Sequence, residues 1–121
     1  MKVLKKIKLS TYSCSVTFMV TDDVIEKVNS IYKKSKLNDT FSDVVEGVVL
    51  SFDMDNYYLI ISSQYLTHDT IAHEVYHAAV RVSEDRDVTD EEAQAWLAGY
   101  ITGEIYKFLQ KKNLPIKHGR G

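Results

Sequence analysis

The chain reads TIAHEVYHAAV from Thr70 to Val80, and the fold predicted from the sequence is organised around this stretch. Apolar side chains recur here at helical spacing, at Ile71, Val75, Ala78 and Val82. At about 100° per residue, His73 and His77 point roughly away from that apolar stripe. The pattern predicts an amphipathic helix that packs one side on a core and presents two imidazoles on the other.

The centre of this helix, His73-Glu74-Val75-Tyr76-His77, has the pattern HExxH. Residues four apart lie on one face of a helix, so two imidazoles at this spacing can bind one zinc ion. The Glu beside the first His then lies close enough to a metal-activated water to take its proton. His73 and His77 are therefore candidate metal ligands, and Glu74 is the candidate general base. Two ordinary histidines on a helix are the alternative, because the pattern fixes only three positions.

Size and composition favour a single globular domain. The chain has 121 residues, of which 45% are hydrophobic. Its net charge is −2, which does not indicate binding to nucleic acid. Its one cysteine, Cys14, cannot form an internal disulfide, and nothing demands an oxidising compartment. Neither a signal peptide nor a membrane span is expected, because long apolar runs are missing. We expect a cytoplasmic protein with neither a nucleic-acid nor a membrane partner.

The first half of the chain predicts two strands, a helix and a hairpin. Residues 3–9 and 12–20 are the first strands, the second with alternating buried and polar faces and with Cys14 as a small buried hydrophobe. Asp23, three residues before Glu26, predicts the N-cap of a helix that runs to about Ser35. Two largely apolar strands follow at 44–52 and 57–63, and Gly47 is a candidate bulge.

The second half predicts the motif helix and one further helix. Thr67 or Asp69 is the N-cap of the motif helix, which ends near Ser83, and His68 is interpreted as a loop residue. The last helix runs from Thr89 to about Lys112. Its main apolar stripe includes Trp96 and Tyr100. A second stripe consists of small residues, at Ala95, Gly99 and Gly103. Glycines on one line of a helix favour a close approach of another backbone, for which the motif helix is the natural candidate.

Together these elements predict an α+β fold, with a small antiparallel or mixed sheet packed against three helices. Residues 1–113 form the predicted single domain and residues 114–121 a basic C-terminal tail, which is expected to be loose from Ile116 to Gly121.

A catalytic zinc site usually has a third protein ligand. A metzincin would place Gly at position 80 and His at position 83, and Val80 and Ser83 exclude that family. The third ligand must then be a carboxylate or the tail histidine, His118.

Glu92 is the preferred carboxylate. It lies roughly 20° from Gly99 around the helix, inside the small-residue stripe, whereas Glu91 lies roughly 80° away. The alternative role for Glu92 is in a capping box, since Thr89-Asp90-Glu91-Glu92 fits that pattern.

The motif followed by Glu92-Ala93-Gln94-Ala95-Trp96-Leu97-Ala98 resembles the gluzincin arrangement, HExxH plus a Glu on the next helix. It is similar to the IrrE/ImmA-type metallopeptidases and to short HExxH proteins encoded by tailed phages. In the former a Glu-Ala-Asn-type segment supplies the ligand, and Gln94 stands where the Asn stands. The resemblance covers about residues 44–109. It implies a minimal zincin-like core and a zinc cofactor, but no extra lobe for a deep substrate cleft is present.

The leading hypothesis is a zinc-dependent peptidase acting on a peptide or protein substrate. His73, His77 and Glu92 hold the metal, and Glu74 is the catalytic base. Tyr76, Tyr100 and Arg81 are candidates for stabilising the oxyanion. The alternative is a non-catalytic structural or interaction protein that keeps the scaffold, for example a phage virion component. The expected setting is accordingly the host cytoplasm or a virion, and an oligomer or assembly partner is compatible with both hypotheses.

Overall fold

In a computed structural model that describes residues 2–37 and 39–117, the chain forms four strands and three α-helices. In chain order these are β1 (Lys2–Leu9), β2 (Cys14–Thr21), α1 (Val24–Lys34), β3 (Gly47–Ser51), β4 (Asn56–Ser62), α2 (His68–Asp85) and α3 (Glu91–Lys111). Short 3-10 turns at Ser10–Tyr12 and Ser63–Tyr65 precede β2 and α2. The α+β class predicted from the sequence is confirmed.

The strands form one mixed sheet in the order β1-β2-β4-β3. The inner strands β2 and β4 are parallel, while β1 and β3 pair antiparallel to them at the two edges. The predicted hairpin is confirmed as β3–β4, with Gly47 opposite Ile61 and Ser51 opposite Tyr57. Parallel strands need a crossover connection, and α1 lies within the connection from β2 to β4.

Helices cover both faces of the sheet. On one face α1 packs through Val28 and Ile31 against Met19 of β2 and Ile60 of β4. On the other face α2 and α3 pack together over a larger core. The prediction that β2 has one polar face is wrong: seven of its eight residues are buried, because a central strand between two helical layers has no solvent side.

The apolar stripe of α2 is confirmed, and its four residues all lie in the larger core. In α3 the buried positions are Leu97, Ile101, Ile105, Phe108 and Leu109. Phe108 meets Phe18 of β2 edge to face, with 6.0 Å between ring centroids. Two aromatic residues predicted for this stripe are instead exposed, Trp96 at 73% and Tyr100 at 50%.

The prediction that the small stripe of α3 faces α2 is wrong for its two glycines, although Ala95 does line the groove beside α2. A Cβ atom built on Gly99 or Gly103 would meet nothing within 4 Å. The residues of α3 that line the groove beside α2 are Glu91, Gln94, Ala95 and Ala98. The large apolar side chains fix which side of α3 is buried, because each removes far more surface from water than a glycine does.

Side-chain caps set where the helices begin. Asp23 accepts a hydrogen bond from the Glu26 amide at 3.0 Å, as predicted. For α2 the cap is Thr67, which accepts from the Thr70 amide at 3.1 Å. His68 is therefore the first residue of α2 and not a loop residue, and its ring stacks on Tyr106.

The cap of α3 is Asp90, which accepts from the Ala93 amide at 3.1 Å. The helix therefore begins at Glu91, and the capping box that would start at Thr89 is wrong. Glu92 consequently has no role as the reciprocal residue of such a box.

The segment after α3 is anchored as far as Lys117, whose amide donates to the Leu66 carbonyl at 2.8 Å. Leu114 and Ile116 pack against the larger core. The predicted loose tail is therefore wrong for Ile116 and Lys117, and residues 118–121, with His118, lie outside the described residues. Among the residues described, no helix has both the length and the apolar character to cross a membrane.

Replacing the observed cap should destabilise the protein, while replacing the predicted one should not. Asp90→Ala removes the acceptor of the Ala93 amide and should lower the free energy of unfolding by about 1 kcal/mol. Thr89→Ala is the matched control and should leave that free energy within about 0.5 kcal/mol of wild type. Urea denaturation measures both, and a larger loss in Thr89→Ala would contradict the assignment.

The cysteine should be unreactive in the native protein. Cys14 is buried, and burial raises the pKa of its thiol above the ordinary value, an effect that nearby Arg86 partly opposes. Since the thiolate is the reactive form, iodoacetamide at pH 8 should modify native Cys14 roughly 100-fold more slowly than the urea-unfolded chain. Mass spectrometry over time measures the two rates. Equal rates would show that the thiol is accessible.

Candidate metal centre

The Nε2 atoms of the two motif histidines, His73 and His77, lie close together on the exposed side of α2. Their Nε2 atoms are 3.1 Å apart, and their ring centroids are 4.7 Å apart. Two zinc–nitrogen bonds of about 2.05 Å at a tetrahedral angle would hold two nitrogens about 3.3 Å apart. Both rings are on the solvent side of the helix. His73 and His77 therefore fit two ligand positions of a single zinc ion.

Glu74 lies behind this pair, at the interface between α2 and the sheet. It is only 6% exposed, and its Oε2 is 4.0 Å from His73 Nε2. Burial raises the pKa of the Glu74 carboxyl above its usual value, while His73, His77 and Arg81 act in the opposite direction. A carboxyl whose pKa is moved toward neutrality can both accept and return a proton in a reaction near pH 7.

Gly47 makes room for that carboxyl. A Cβ atom at Gly47 would lie 2.9 Å from Glu74 Cγ and 3.1 Å from the Ile60 carbonyl oxygen, too close for any side chain. The predicted bulge at Gly47 is wrong, because the strand pairs in regular register from Gly47 to Ser51. The glycine serves a close approach between strand and helix, which is the other usual reason for glycine in a strand.

A cleft of about 400 Å³ opens beside His73 and Glu74. One wall is formed by residues 44–46, which precede edge strand β3, and by Gly47, the first residue of that strand; the other is formed by Asp69, Thr70, His73 and Glu74 of α2. The cleft thus has the segment leading into the edge strand on one side and the candidate proton-transfer group with one candidate metal ligand on the other. The cleft wall formed by residues 44–47 was not predicted from the sequence, because those residues lack any motif of their own.

The third ligand predicted from the sequence is not brought to the pair. Within residues 2–37 and 39–117, no set of three His, Cys, Asp or Glu residues is close enough to hold a metal ion. Glu92 is exposed in the first turn of α3, and Glu91, also exposed, lines the groove between α3 and α2. Around α3, Glu91 lies about 20° from the groove residue Ala98, and Glu92 about 120°. The preference for Glu92 assumed that the side of α3 with Gly99 faces α2. In the structure the side with Ala98 and Glu91 lines the groove beside α2.

The three candidates for oxyanion stabilisation are placed differently. Tyr76 is 67% exposed, and its ring centroid is 6.3 Å from that of His77. Arg81 is close enough to Glu74 to lower the pKa of its carboxyl. Tyr100 lines a separate groove with Trp96 and residues 8–12. Only Tyr76 and Arg81 are thus near the histidine pair or Glu74.

No family model, curated protein or solved structure matches this chain. The resemblance to gluzincins and to the IrrE/ImmA-type metallopeptidases stays a prediction that rests on the motif residues. Functional interpretation therefore depends on the geometry of the site itself.

Filling the space at Gly47 should destabilise the protein through Glu74. Gly47→Ala should lower the free energy of unfolding by about 1–3 kcal/mol, as expected for overpacking. Glu74→Ala removes both Glu74 atoms that the new Cβ would meet, so Gly47→Ala should cost less in that background. A double-mutant cycle in urea should give a coupling of about 0.5–2 kcal/mol between the two sites. Strictly additive effects would contradict the close approach.

Proposed function

We propose that this chain is a small zinc-dependent peptidase in which Glu74 transfers the proton. One observation supports this above all: two histidine Nε2 atoms 3.1 Å apart stand beside a buried carboxyl at the side of an open cleft. The convergence suits a metal ion, and the buried carboxyl suits a proton carrier. The cleft gives a substrate access to both.

His73 and His77 would hold the zinc through neutral imidazoles. The third ligand would come from a carboxylate that does not lie beside the pair among the described residues. The candidates are Glu92, as the motif pattern predicts, and Glu91, which lines the groove beside α2. When bound, zinc polarises the scissile carbonyl and lowers the pKa of a coordinated water toward 7.

Glu74 would accept a proton from the attacking water and later pass it to the leaving amine. Two features of the structure support this role. Burial raises the pKa of its carboxyl above the usual value, which is the direction that suits a group that both takes up and returns a proton. Contact with Gly47 and the β3 backbone limits where the carboxyl can move, so it stays close to the histidine pair.

The substrate would be an extended peptide held along the start of β3. That strand is at the edge of the sheet, and a peptide can add to a sheet edge through main-chain hydrogen bonds. Tyr76 and Arg81 would lie near enough to assist the developing oxyanion. We propose a cytoplasmic setting, as expected from the single buried cysteine, or a virion if the chain is encoded by a phage.

Metal content and one conservative substitution test this proposal. The purified protein should contain about one zinc per chain, and His77→Ala should lose it. Glu74→Gln should keep the zinc but reduce cleavage of a mixed peptide library by about 10²–10⁴-fold, since it removes the general base. Elemental analysis and mass spectrometry of the cleaved peptides are the measurements.

Glu26→Gln, on the exposed side of α1 and on the opposite face of the sheet, is the control and should cleave like wild type. Wild-type cleavage by Glu74→Gln would show that the proposed proton transfer is wrong. Protein without metal and without cleavage would favour the non-catalytic interaction protein. Comparing zinc affinity in Glu91→Gln and Glu92→Gln identifies the third ligand.

A further inference from the structure

A second concavity lies between α2 and α3, with a volume of about 360 Å³. Its walls are largely small and apolar, with Ala79 from α2 and Ala95 and Ala98 from α3. Tyr76 stands at its rim. The volume is within the range of small-ligand sites, and apolar walls suit an aliphatic chain.

Ser83 places a hydroxyl without a hydrogen-bond partner in the wall of this groove. The side chain lines the groove and is only 3% exposed. Its hydroxyl makes no hydrogen bond within the part of the chain that the structure describes. Buried hydroxyls nearly always have a partner in folded proteins. A bound group can supply that hydrogen bond once the Ser83 side chain rotates between its staggered rotamers and turns the oxygen toward the groove.

The charges around the groove are of one sign. Glu84 and Glu91 both line it and are exposed, and none of the described lining residues is Lys, Arg or His. The amide of Gln94 is already engaged, because it donates to the Val88 carbonyl at 2.7 Å. Apolar walls, a hydroxyl without an internal partner and the Glu84 carboxylate together fit an aliphatic chain that ends in a cation, and lysine side chains bury their stems in this way. Glu91 adds a second carboxylate to the groove where Glu92 is the zinc ligand.

The cleft and the groove occupy successive stretches of α2. The helix lines the cleft with residues between 69 and 74 and the groove with residues between 76 and 84, and His73 and His77 lie where the two stretches meet. The rings of Tyr76 and His77 are in contact range, at 6.3 Å between centroids. A peptide that leaves the cleft across the histidine pair would therefore reach the groove next.

We propose that the groove between α2 and α3 binds a lysine side chain of the peptide substrate, close to the bond that is cleaved. This inference rests on the proposed function for its substrate, and it adds a specificity that the motif does not contain. Ser83 and Glu84 are the residues that would distinguish lysine from an uncharged chain of equal length.

Peptide binding tests the proposal without any need for hydrolysis. Ac-Ala-Lys-Ala-NH₂ and the matching norleucine peptide are titrated into Glu74→Gln protein as purified, with ¹³C-labelled alanine methyls observed by NMR. The lysine peptide should shift the methyls of Ala79, Ala95 and Ala98 and bind about tenfold more tightly than the norleucine peptide. That preference is expected from a cation placed beside the Glu84 carboxylate and a hydroxyl.

Two substitutions made in that background probe the polar groups. Glu84→Gln should reduce the lysine preference to about threefold. Ser83→Ala should weaken lysine binding about threefold without lowering the melting temperature, because its hydroxyl has no internal partner to lose. Glu26→Gln, far from the groove, should leave both affinities unchanged.

Equal affinities for the two peptides, or a lysine peptide that leaves the three alanine methyls unshifted, would overturn the proposal. So would n-butylamine binding as tightly as the lysine peptide, because the groove would then be a site for small amines. A lysine preference in a protein that cleaves nothing would support the groove and count against the peptidase. Cleavage without a lysine preference would support the peptidase and count against the lysine site in the groove.

Discussion

The close contact between Glu74 and the backbone of β3 is the constraint on which the rest of the site depends. An acidic side chain is buried here against a strand, and only a glycine at position 47 leaves space for it. Glu74 and the apolar stripe of α2 are buried together against the sheet, and this burial fixes the rotation of the helix about its axis. That fixed rotation places His73 and His77 toward solvent, with their Nε2 atoms converging.

The far end of α2 is fixed by a second set of contacts. Arg86, at the C-cap, donates to the Tyr12 carbonyl at 2.7 Å and also to the Met54 carbonyl. These carbonyls belong to the two turns that join β1 to β2 and β3 to β4. Arg86 also donates to the hydroxyl of buried Tyr57 at 3.2 Å. The helix is therefore held to the sheet near both ends, which keeps the imidazoles in place relative to the edge strand.

A line of surface features follows from this arrangement. The cleft beside the start of β3, the histidine pair and the groove beside α3 succeed one another along α2. The first two suit main-chain binding and chemistry, whereas the groove has the apolar walls and carboxylates that suit one side chain. A small domain can in this way present a substrate path without an additional lobe, because its edge strand and its helix pair supply the two sides.

The sequence by itself determined the local features: the amphipathic pattern of α2, the Asp23 cap, the β3–β4 hairpin and the candidate roles of His73, Glu74 and His77. These depend on spacing along one element, where periodicity and side-chain reach are fixed by backbone geometry. Only the tertiary structure decided the role of Gly47, the burial of both faces of β2, and the rotation of α3 that turns Glu91 and not Glu92 toward the groove. Those outcomes depend on which elements meet. The packing of large side chains such as Leu97 and Ile101 determines which elements meet, and the sequence pattern of a single element does not contain that information.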